Sequence, residues 1–420
     1  MKLAPGTPLA ISLAFDATQP KQPAGRLAMA DGLAQLEWSA PVIQAAQRIS
    51  PVYYPPEAGL LAARSRAFEG LHGFLADSLP EGWGRLLLRR RLAKLNVRID
   101  ALNALDHLAL VGDQGRGALV FEPNTTPARG EESALDLDAL AVETAAILEG
   151  EESGLADTLA DLAVGSGGAR PKIHVGFDCK GRFSAGTGET APRQESWIVK
   201  FRAQADPTDI GPIEAAYAAM AKKAGLNVSA HQLIPARKGP GYFATRRFDR
   251  PAPGRRLHVV SLCGAIEAPS SIPSSYDQFL LATQLITRHA EDLAAVFRRM
   301  IFNVLAHNRD DHTKQHSFLM NAAGDWRLAP AYDLTYSTGP GAEHYLDIEG
   351  EGREPTAGHV AAIGRRHGFK DRAIATTIDE VRAAVADWPR FAKEAGVTDA
   401  SRRSITSAHE AVWGAFGKMR

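Results

Sequence analysis

The pattern of apolar positions changes along the chain and predicts three successive units. Residues 1–123 alternate short apolar runs with turns around one helical stretch from Leu86 to Leu95, which indicates a small α+β unit. The polar run from Asn124 to Ser133, NTTPARGEES, has the Pro, Gly and charge content of a linker. Residues 134–254 mix helical and strand patterns, and residues 255–420 are predominantly helical.

The middle unit combines both periodicities. Helices are predicted from Leu135 to Leu148, from Leu155 to Leu162 and from Ile213 to Ala224, the last one ending at a candidate C-cap, Gly225. Strands are predicted at IHVGF, from Ile173, and at WIVKF, from Trp197, and the runs HQLIPA and YFATRRF follow the third helix. The glycine-rich stretch VGSGGARPK separates the second helix from the first strand.

One loop in the last unit is expected to lie between a buried helix and a hairpin. Apolar residues recur at helical spacing up to Leu305, so the helix is predicted to end near His307. Beyond the loop, Ser317 to Met320 and Trp326 to Leu328 flank the turn-forming run NAAGD, as the strands of a hairpin would. Polar side chains of such a loop project from a rigid scaffold, the usual location of catalytic groups.

The composition is that of an ordinary globular protein. Of the 420 residues, 45% are hydrophobic and 23% are charged, which allows a sizeable core. Lys plus Arg and Asp plus Glu both number 48, so no net charge draws the protein toward nucleic acid or anionic membrane. The densest basic stretch, RLLLRRRLAKLNVR from Arg85 to Arg98, is interpreted first as a solvated helix face, with a patch that binds phosphate or a partner as the alternative.

The cysteines and the first residues favour a reducing compartment. Cys179 and Cys263 lie far apart and outside any Cys-x-x-Cys pair, so neither a disulfide framework nor a thiolate zinc site is expected. The N-terminal segment lacks an uninterrupted apolar core before a small-residue cleavage site, and no apolar run reaches roughly eighteen residues. A soluble cytoplasmic protein, without membrane association, is predicted.

The polar residues between His307 and Asp333 have the spacing that phosphoryl transfer requires. That reaction needs a carboxylate to accept the proton of the attacking hydroxyl, and oxygen ligands to hold magnesium on the phosphates. In protein kinases a catalytic Asp is followed five positions later by an amide side chain and, beyond a short hairpin, by a second Asp. Asp310, Gln315 and Asp333 stand at those places.

Residues upstream are candidates for the rest of a nucleotide site. Gly165, Gly167 and Gly168 lie in a loop ahead of a predicted strand, where backbone N–H groups can meet phosphate oxygens. Lys200 lies in an apolar strand, where a lysine is unexpected unless it faces an anion, and Glu214 lies in the first turn of the next helix. Each feature alone has an ordinary explanation, but the order of Gly loop, Lys, Glu, Asp, amide and Asp points to a kinase.

Two other interpretations use the same segment. A metal-dependent hydrolase would take its ligands from His307, His312, His316, Asp310 and Asp311. It leaves the glycine loop and Lys200 without a role. A catalytically silent, kinase-shaped binding module is the second alternative, and Gln315 is the residue that supports it.

These motifs together resemble the HipA family, bacterial serine/threonine kinases that act as toxins of type II toxin–antitoxin systems. FLADSLPEGWGRLLL, from Phe74 to Leu88, resembles the N-terminal signature of the family, and GGARPK, from Gly167 to Lys172, resembles its phosphate loop. RRFDR, from Arg246 to Arg250, resembles its hinge. NRDDHTKQHSFL and LAPAYDLT resemble its catalytic and metal-binding motifs, and the resemblance covers most of the chain.

The resemblance implies a two-lobed, kinase-like α+β fold with an added N-terminal subdomain and a mainly helical C-terminal lobe. It implies ATP and Mg²⁺ as cofactors. An aminoacyl-tRNA synthetase is the implied substrate, and its phosphorylation would restrain translation. The implied partner is a helix-turn-helix antitoxin of HipB type, so that DNA would be reached only through the antitoxin.

The resemblance also implies roles for single residues. Asp310 would be the catalytic base, supported by His312, and Glu214 would orient Lys200. The metal ligands would be Asp333 and Gln315. The ATP-binding residues would be Gly165, Ser166, Gly167, Gly168, Ala169, Lys172, Lys200, Arg246, Arg247 and Phe248, with the hinge meeting adenine through its backbone.

Two positions depart from the family pattern. The amide five positions after the catalytic Asp is usually Asn in the family and is Gln315 here, so the ligand of the second metal ion differs from the family pattern. The regulatory serine of the family aligns with Gly165, one residue from Ser166. Because Ser166 carries the only hydroxyl between Gly165 and Lys172, its autophosphorylation is predicted.

Overall fold

The computed structural model describes residues 2–4, 6–126, 136–165, 167–178, 183–185 and 194–417, and the structural statements below concern those residues. Ser166, the predicted autophosphorylation site, and Cys179 lie outside them. The described helices and strands group into an N-terminal unit, an N-lobe and a C-lobe.

The N-terminal unit is an antiparallel sheet with short helices. Asp31 and Gly32, with φ of 52° and 76°, close a two-residue hairpin for which an Asp-Gly pair is well suited. The strands are β1 (Leu9–Leu13), β2 (Gln22–Ala30), β3 (Leu33–Trp38), β4 (Leu60–Ala62) and β5 (Leu119–Glu122), in the order β4-β3-β2-β1-β5. The helices are α1 (Ala40–Gln44), α2 (Gly73–Ala76), α3 (Gly82–Lys94) and α4 (Ala104–Val111).

The N-lobe contains a second antiparallel sheet. Its strands are β6 (Lys172–Phe177), β7 (Phe183–Ala185), β8 (Glu195–Lys200), β9 (His231–Ile234) and β10 (Tyr242–Arg246), in the order β7-β6-β8-β10-β9. Its helices are α5 (Leu137–Leu148), α6 (Ala156–Ala163) and α7 (Ile210–Lys223). Gly225 follows α7 with a φ of 82°, the left-handed conformation predicted for a C-cap glycine.

The C-lobe is mainly helical. Its helices are α8 (Leu262–Ile266), α9 (Tyr276–Thr287), α10 (Ala290–Leu305), α11 (Ala357–Arg366), α12 (Asp371–Ala386), α13 (Trp388–Glu394) and α14 (Asp399–Phe416). Its strands are β11 (His258–Ser261), β12 (Ser274–Ser275), β13 (Ser317–Met320), β14 (Trp326–Leu328) and β15 (Leu346–Asp347). The end of α10 and both strands of the hairpin β13–β14 confirm the predictions for this region. Across the ranges that the structure describes, no helix combines the length and the apolar character needed to cross a bilayer.

Two hydrophobic cores tie the N-terminal unit to both lobes. Phe74 and Phe121 from that unit belong to the same buried cluster as Phe279 and Phe302 of the C-lobe. Trp83 from α3 belongs instead to the core under the N-lobe sheet. The N-terminal unit therefore packs on each lobe.

The basic helix α3 is a solvated face only in part: Arg89 and Lys94 are exposed as predicted, whereas other basic residues form an interface. Arg91 forms an ion pair with Asp161, and the Lys94 ammonium lies 2.9 Å from a carboxylate oxygen of Asp157, both acids belonging to α6. Arg90 donates to main-chain carbonyl oxygens at and just after the end of α5. These contacts also occupy charges that a phosphate-binding patch would need.

Candidate active site

Lys200, Glu214 and Asp333 form a buried ion cluster. Lys200 ends β8, Glu214 lies near the start of α7, and Asp333 follows the hairpin β13–β14. The Lys200 Nζ lies 3.0 Å from Glu214 Oε1 and 2.6 Å from Asp333 Oδ1. The side chains of Lys200 and Glu214 are only 9% and 4% exposed, so water screens their pairing little. The structure thus brings together three charged residues that lie far apart in the sequence.

The members of this cluster keep one another charged. Burial alone would lower the pKa of Lys200, but Asp333 and Glu214 outweigh it and raise that pKa above its ordinary value. Burial alone would raise the pKa of Asp333, but Lys200 and Lys172 outweigh it and hold that pKa well below its ordinary value. Lys200 and Asp333 are therefore both ionised near neutral pH.

Lys172 lies directly opposite Lys200 in the antiparallel pairing of β6 with β8. Like charges at opposed positions destabilise a sheet unless an anion offsets them. Burial lowers the pKa of the Lys172 ammonium, and the charge that opposes this most strongly is that of Asp333, which is already paired with Lys200. This arrangement favours a further anion, such as a phosphate, beside the two lysines.

The loop after α10 presents Asp310 with His312 beside it. His312 Nε2 lies 3.8 Å from Asp310 Oδ1. The main-chain N–H of Lys314 donates to His312 Nδ1 at 3.2 Å, so in the neutral ring the proton is on Nε2, on the side of Asp310. Burial raises the pKa of Asp310, and the nearby charge of Asp333 raises it further against the opposing effect of His312. Asp310 therefore has the increased proton affinity that suits a general base.

Asp311, the next residue, is buried and anchors this loop. Its carboxylate accepts hydrogen bonds from the Tyr276 hydroxyl at 2.7 Å, from His344 Nδ1 at 2.8 Å and from the Tyr345 main-chain N–H at 2.9 Å. Burial would raise the pKa of Asp311, but His344 outweighs it and lowers that pKa. The sequence had suggested Asp311 only as a metal ligand, whereas the structure gives it a positioning role that its neighbours in the chain do not reveal.

Main-chain hydrogen bonds hold the loops of Asp310 and Asp333 side by side. The Arg309 N–H donates to the Ser337 carbonyl oxygen at 3.2 Å, and the Ser337 N–H donates to the His307 carbonyl oxygen at 3.1 Å. Asp333 itself has a φ of 51°, a conformation uncommon for a residue with a side chain and often kept at functional sites. The backbone therefore determines where the two carboxylates lie.

The residues present fit a magnesium ion that arrives with a nucleotide. Asp333 and Asp310 offer carboxylate oxygens, and Gln315 offers an amide oxygen at the end of the turn Thr313–Gln315. Within the described ranges, no group of three His, Cys, Asp or Glu side chains is placed to hold a metal. Magnesium typically takes one or two protein carboxylates and completes its shell with substrate phosphates and water.

The histidines of the segment are not arranged as a transition-metal site. His316 stacks on Phe279, with ring centroids 4.4 Å apart, and its Nε2 donates to the Asp311 carbonyl oxygen at 3.2 Å. Burial lowers the pKa of His316 to about 3. His307 Nδ1 donates to the Ser337 carbonyl oxygen at 3.0 Å. The described residues contain no cluster of three metal-binding side chains, so their arrangement gives the hydrolase interpretation no support.

The glycine-rich loop leads into β6 and to Lys172. Gly165 and Gly168 have φ of 71° and 84°, which favour glycine. A Cβ on Gly165 would lie 2.9 Å from the Gln114 carbonyl oxygen, so only glycine allows the loop to pack this closely on the N-terminal unit. A Cβ on Gly168 would lie 3.3 Å from Lys172 Nζ, which shows that the ammonium group reaches the loop backbone.

The N-terminal signature segment contacts this loop directly. Trp83 Nε1 donates to the Lys172 carbonyl oxygen at 3.1 Å. A Cβ on Gly82 would lie 2.5 Å from Ala169 Cα, so the two backbones touch there. The sequence assigned no site role to Gly82 or Trp83, and the only signal for one was the resemblance of their segment to the family signature.

Glu81, from the same signature, bridges two parts of the site. One carboxylate oxygen accepts a hydrogen bond from the Gly168 N–H at 3.2 Å, and the other forms an ion pair with the Lys314 ammonium. Lys314 belongs to the loop that carries Asp310. Neither Glu81 nor Lys314 was a candidate from the sequence, because the two lie 233 positions apart and only the fold makes them neighbours.

A buried salt-bridge cluster holds the predicted hinge. Asp249 accepts hydrogen bonds from Arg247 and from Arg250, each at 2.8 Å. The main-chain N–H groups of Arg246 and Arg247 donate to carbonyl oxygens of neighbouring backbone. The side chain of Arg247 and these two N–H groups are therefore committed to the fold. An adenine would have to use other groups of the hinge, such as the main chain or the ring of Phe248.

A cavity of about 130 Å³ opens beside the ion cluster, and its lining includes Arg170, Lys200 and Glu214. Arg170 lies 3.7 Å from Glu214 and 3.3 Å from Asp206, so it adds a third cation near the two lysines. Pockets that enclose a drug-sized ligand typically measure about 300 Å³ or more. This cavity alone is therefore too small to enclose a whole nucleotide.

Comparison with known proteins gives matches at both ends of the chain. The HipA-like C-terminal domain matches residues 164–388, which is more than half of the chain, and the HipA N-terminal domain matches residues 15–122. A Sinorhizobium fredii protein named "Putative kinase Y4mE" is 29% identical over 200 residues. That match covers 45% of this chain and 42% of the relative, so it spans less than half the length of that protein.

The fold is similar to a solved structure over almost its whole length. HipA of Shewanella oneidensis, in complex with HipB and operator DNA, has a TM-score of 0.67 at 18% identity, covering 96% of this chain and 95% of that one. The Helicobacter pylori proinflammatory kinase CtkA has a TM-score of 0.31 at 12% identity, over 50% of this chain and 92% of that one, a likeness too weak to carry an argument. The predicted two-lobed, kinase-like α+β fold is thereby confirmed. With both of its characteristic domains matched in order, the chain belongs to the HipA family.

Proposed function

We propose that this protein is an ATP- and Mg²⁺-dependent serine/threonine protein kinase of HipA type. The observation that carries the proposal is the opposed pair Lys172 and Lys200, whose shared carboxylate Asp333 acts electrostatically on the candidate base Asp310. Phosphate-binding cations, a metal-binding acid and a general base in one site are the parts that phosphoryl transfer needs. Membership of the HipA family supports the same reaction.

In this proposal the phosphates of ATP lie against Lys172, Lys200 and the Gly168 N–H group. Asp333, with Gln315 as a second oxygen ligand, would hold a magnesium ion, which would supply positive charge to offset that of the phosphates. Asp310 accepts the proton of the substrate hydroxyl. The oxygen of that hydroxyl bonds to the γ-phosphorus, while the bond from the γ-phosphorus to the β–γ bridging oxygen breaks and ADP is released. His312, with its Nε2 3.8 Å from Asp310 Oδ1, acts on Asp310 through its charge distribution rather than through a direct hydrogen bond.

The substrate and partner are also proposals. An aminoacyl-tRNA synthetase is the first substrate to test, because the resemblance to the family implies it. The Shewanella oneidensis HipA was solved with HipB and operator DNA. Because nearly all of that HipA chain has a counterpart here, we propose a HipB-type antitoxin as a partner and the cytoplasm as the location.

A catalytically silent, kinase-shaped binder is the competing function. One residue favours it: Gln315 stands where the family usually has Asn, and its amide oxygen lies about one carbon–carbon bond, roughly 1.5 Å, further from the backbone. A silent binder would bind ATP and transfer no phosphate at any magnesium concentration.

Calorimetry with ATP and Mg²⁺, followed by phosphate transfer from labelled ATP, tests the proposal. Asp310→Asn should lower the transfer rate by about a hundred- to ten-thousandfold and leave ATP affinity within a few-fold, because the lost group acts on the hydroxyl. Asp379→Asn, which changes an exposed carboxylate on α12, is the matched control and should behave as the wild type. Wild-type protein that binds no ATP would refute the kinase, and binding without transfer would favour the silent module.

A further inference from the structure

Glu81 is an acid in the phosphate-binding region that the proposed reaction does not use. It lies at the start of α3, yet its side chain makes no capping hydrogen bond to that helix. Instead, its two oxygens reach away from α3 to the Gly168 N–H, at 3.2 Å, and to the Lys314 ammonium. Capping of helix α3 therefore does not explain the position of this carboxylate.

Both groups that Glu81 holds are suited to bind a phosphate. Gly168 belongs to the glycine-rich loop, where N–H groups are available to anions. Lys314 lies four positions after Asp310 on the candidate catalytic loop, and burial lowers the pKa of its ammonium group. The Tyr332 hydroxyl donates to the Lys314 carbonyl oxygen at 2.7 Å, which fixes the backbone from which this lysine extends. The Glu81 carboxylate thus takes up two donors, a loop N–H and an ammonium group, that a phosphate oxygen could use.

We propose that Glu81 is a positioning residue that holds these phosphate-binding donors in the nucleotide-free protein, so that the N-terminal unit sets the affinity for nucleotide. The inference rests on the proposed function. When ATP binds, its phosphate oxygens take over the Gly168 N–H and the Lys314 ammonium. The displaced carboxylate remains nearby and repels the phosphates, because two anions in a partly buried site interact strongly. Glu81 thus orders the empty site and weakens nucleotide binding.

Replacing Glu81 by Gln tests this because the side chain keeps its size and loses its charge. The dissociation constant of ATP with Mg²⁺ is expected to fall by about tenfold, an estimate for one carboxylate charge removed from a partly screened site. The KM for ATP should fall similarly while kcat changes less. The gain should shrink at high ionic strength, which a purely structural role would not produce.

Glu69→Gln is the matched control. Glu69 also belongs to the N-terminal unit, and its carboxylate lies 2.6 Å from Arg85 of α3, but no described contact joins it to the glycine-rich loop or the catalytic loop. It should bind ATP as the wild type does. Thermal melting should show that both variants are folded. If E81Q is unfolded, Glu81→Ala, which removes the same contacts, must show the same gain in ATP affinity.

Separate outcomes distinguish this inference from the proposed function. If E81Q, but not the control E69Q, binds ATP more tightly than the wild type and the gain shrinks with salt, the role of Glu81 is supported. ATP binding by the wild type with equal or weaker binding by E81Q overturns the inference and leaves the kinase proposal standing. No ATP binding by either protein overturns both.

Discussion

Replacing Lys200 by Met tests the ion cluster at the centre of the site. Methionine keeps an unbranched side chain and removes the ammonium group. Glu214, with 4% of its side chain exposed, then loses its partner at 3.0 Å, and Asp333 loses its partner at 2.6 Å. Two negative charges are left in a site that water screens little.

The expected cost follows from these distances. At an effective dielectric constant of about 20, unit charges about 3 Å apart attract by roughly 5 kcal/mol. Desolvation of the lysine offsets part of this, and breaking a buried pair typically costs about 3–5 kcal/mol. Arg170, 3.7 Å from Glu214, compensates in part, and so does Lys172, whose charge also acts on Asp333. K200M should therefore lose about 3 kcal/mol of unfolding free energy. If one unit of about 200 residues unfolds together, its melting temperature falls by roughly 6–12 °C.

Chemical and thermal denaturation of K200M, Glu214→Gln and the double variant measures this. The double variant should be more stable than K200M alone, because it no longer buries the unpaired Glu214 charge. The raised pKa of Lys200 makes its stabilising contribution fully present below the unfolded-state pKa of about 10.4, and the contribution is lost only as pH rises through the higher folded-state pKa. The deficit of K200M should therefore be the same at pH 7 and at pH 9.

Lys222→Met, on the exposed face of α7, is the control and should be near neutral. A loss below about 1 kcal/mol in K200M would refute the reasoning, since breaking a buried pair costs more than that. So would a double variant whose loss equals the sum of the two single losses, because additivity means that the residues do not interact.

Three further variants test other parts of the site and fold. Gln315→Asn should raise the phosphoryl-transfer rate more at low than at saturating magnesium, because the shorter side chain restores the ligand position of the family; equal rates throughout would show that Gln serves as well. Asp311→Ala leaves the buried donors Tyr276 O–H and His344 N–H without their acceptor, so it should cost about 3 kcal/mol or more and slow transfer, with ATP affinity little changed; wild-type stability would contradict the anchoring role. Burial lowers the pKa of His258 to about 4, so the unfolded chain binds more protons between pH 6.5 and 4 and stability falls as pH drops through that window. His258→Gln should flatten this acid slope in denaturation curves by up to about 3 kcal/mol, whereas exposed His289→Gln should not; parallel slopes would count against the argument.

Local patterns were sufficient for the elements that carry the site. The hairpin β13–β14 was predicted with its observed ends, and Gly225 ends α7 as its left-handed conformation requires. Helix α7 begins at Ile210, earlier than the predicted Ile213, because Pro212 is tolerated within a first helical turn. Such features depend on residues close in sequence, so periodicity and turn chemistry predict them.

Motif order also indicated the charged residues of the site, because a kinase-like arrangement keeps its parts in a set sequence along the chain. The order of the motifs along the chain does not predict that Lys172 lies opposite Lys200. It depends on the register of β6 against β8, and a shift of one residue would turn one of the lysines to the other face of the sheet.

Tertiary packing alone decided what the charged side chains do. Basic residues of α3 form ion pairs with acids on α6, and Asp311 accepts hydrogen bonds from buried donors on distant loops. Glu81 forms an ion pair with a lysine 233 positions away. The amino-acid pattern shows which faces are apolar and which positions are charged, but it does not show which element covers them. Because a buried charge is stable only with the partner that the fold places beside it, the roles of Glu81 and Asp311 could not be deduced from the chain alone.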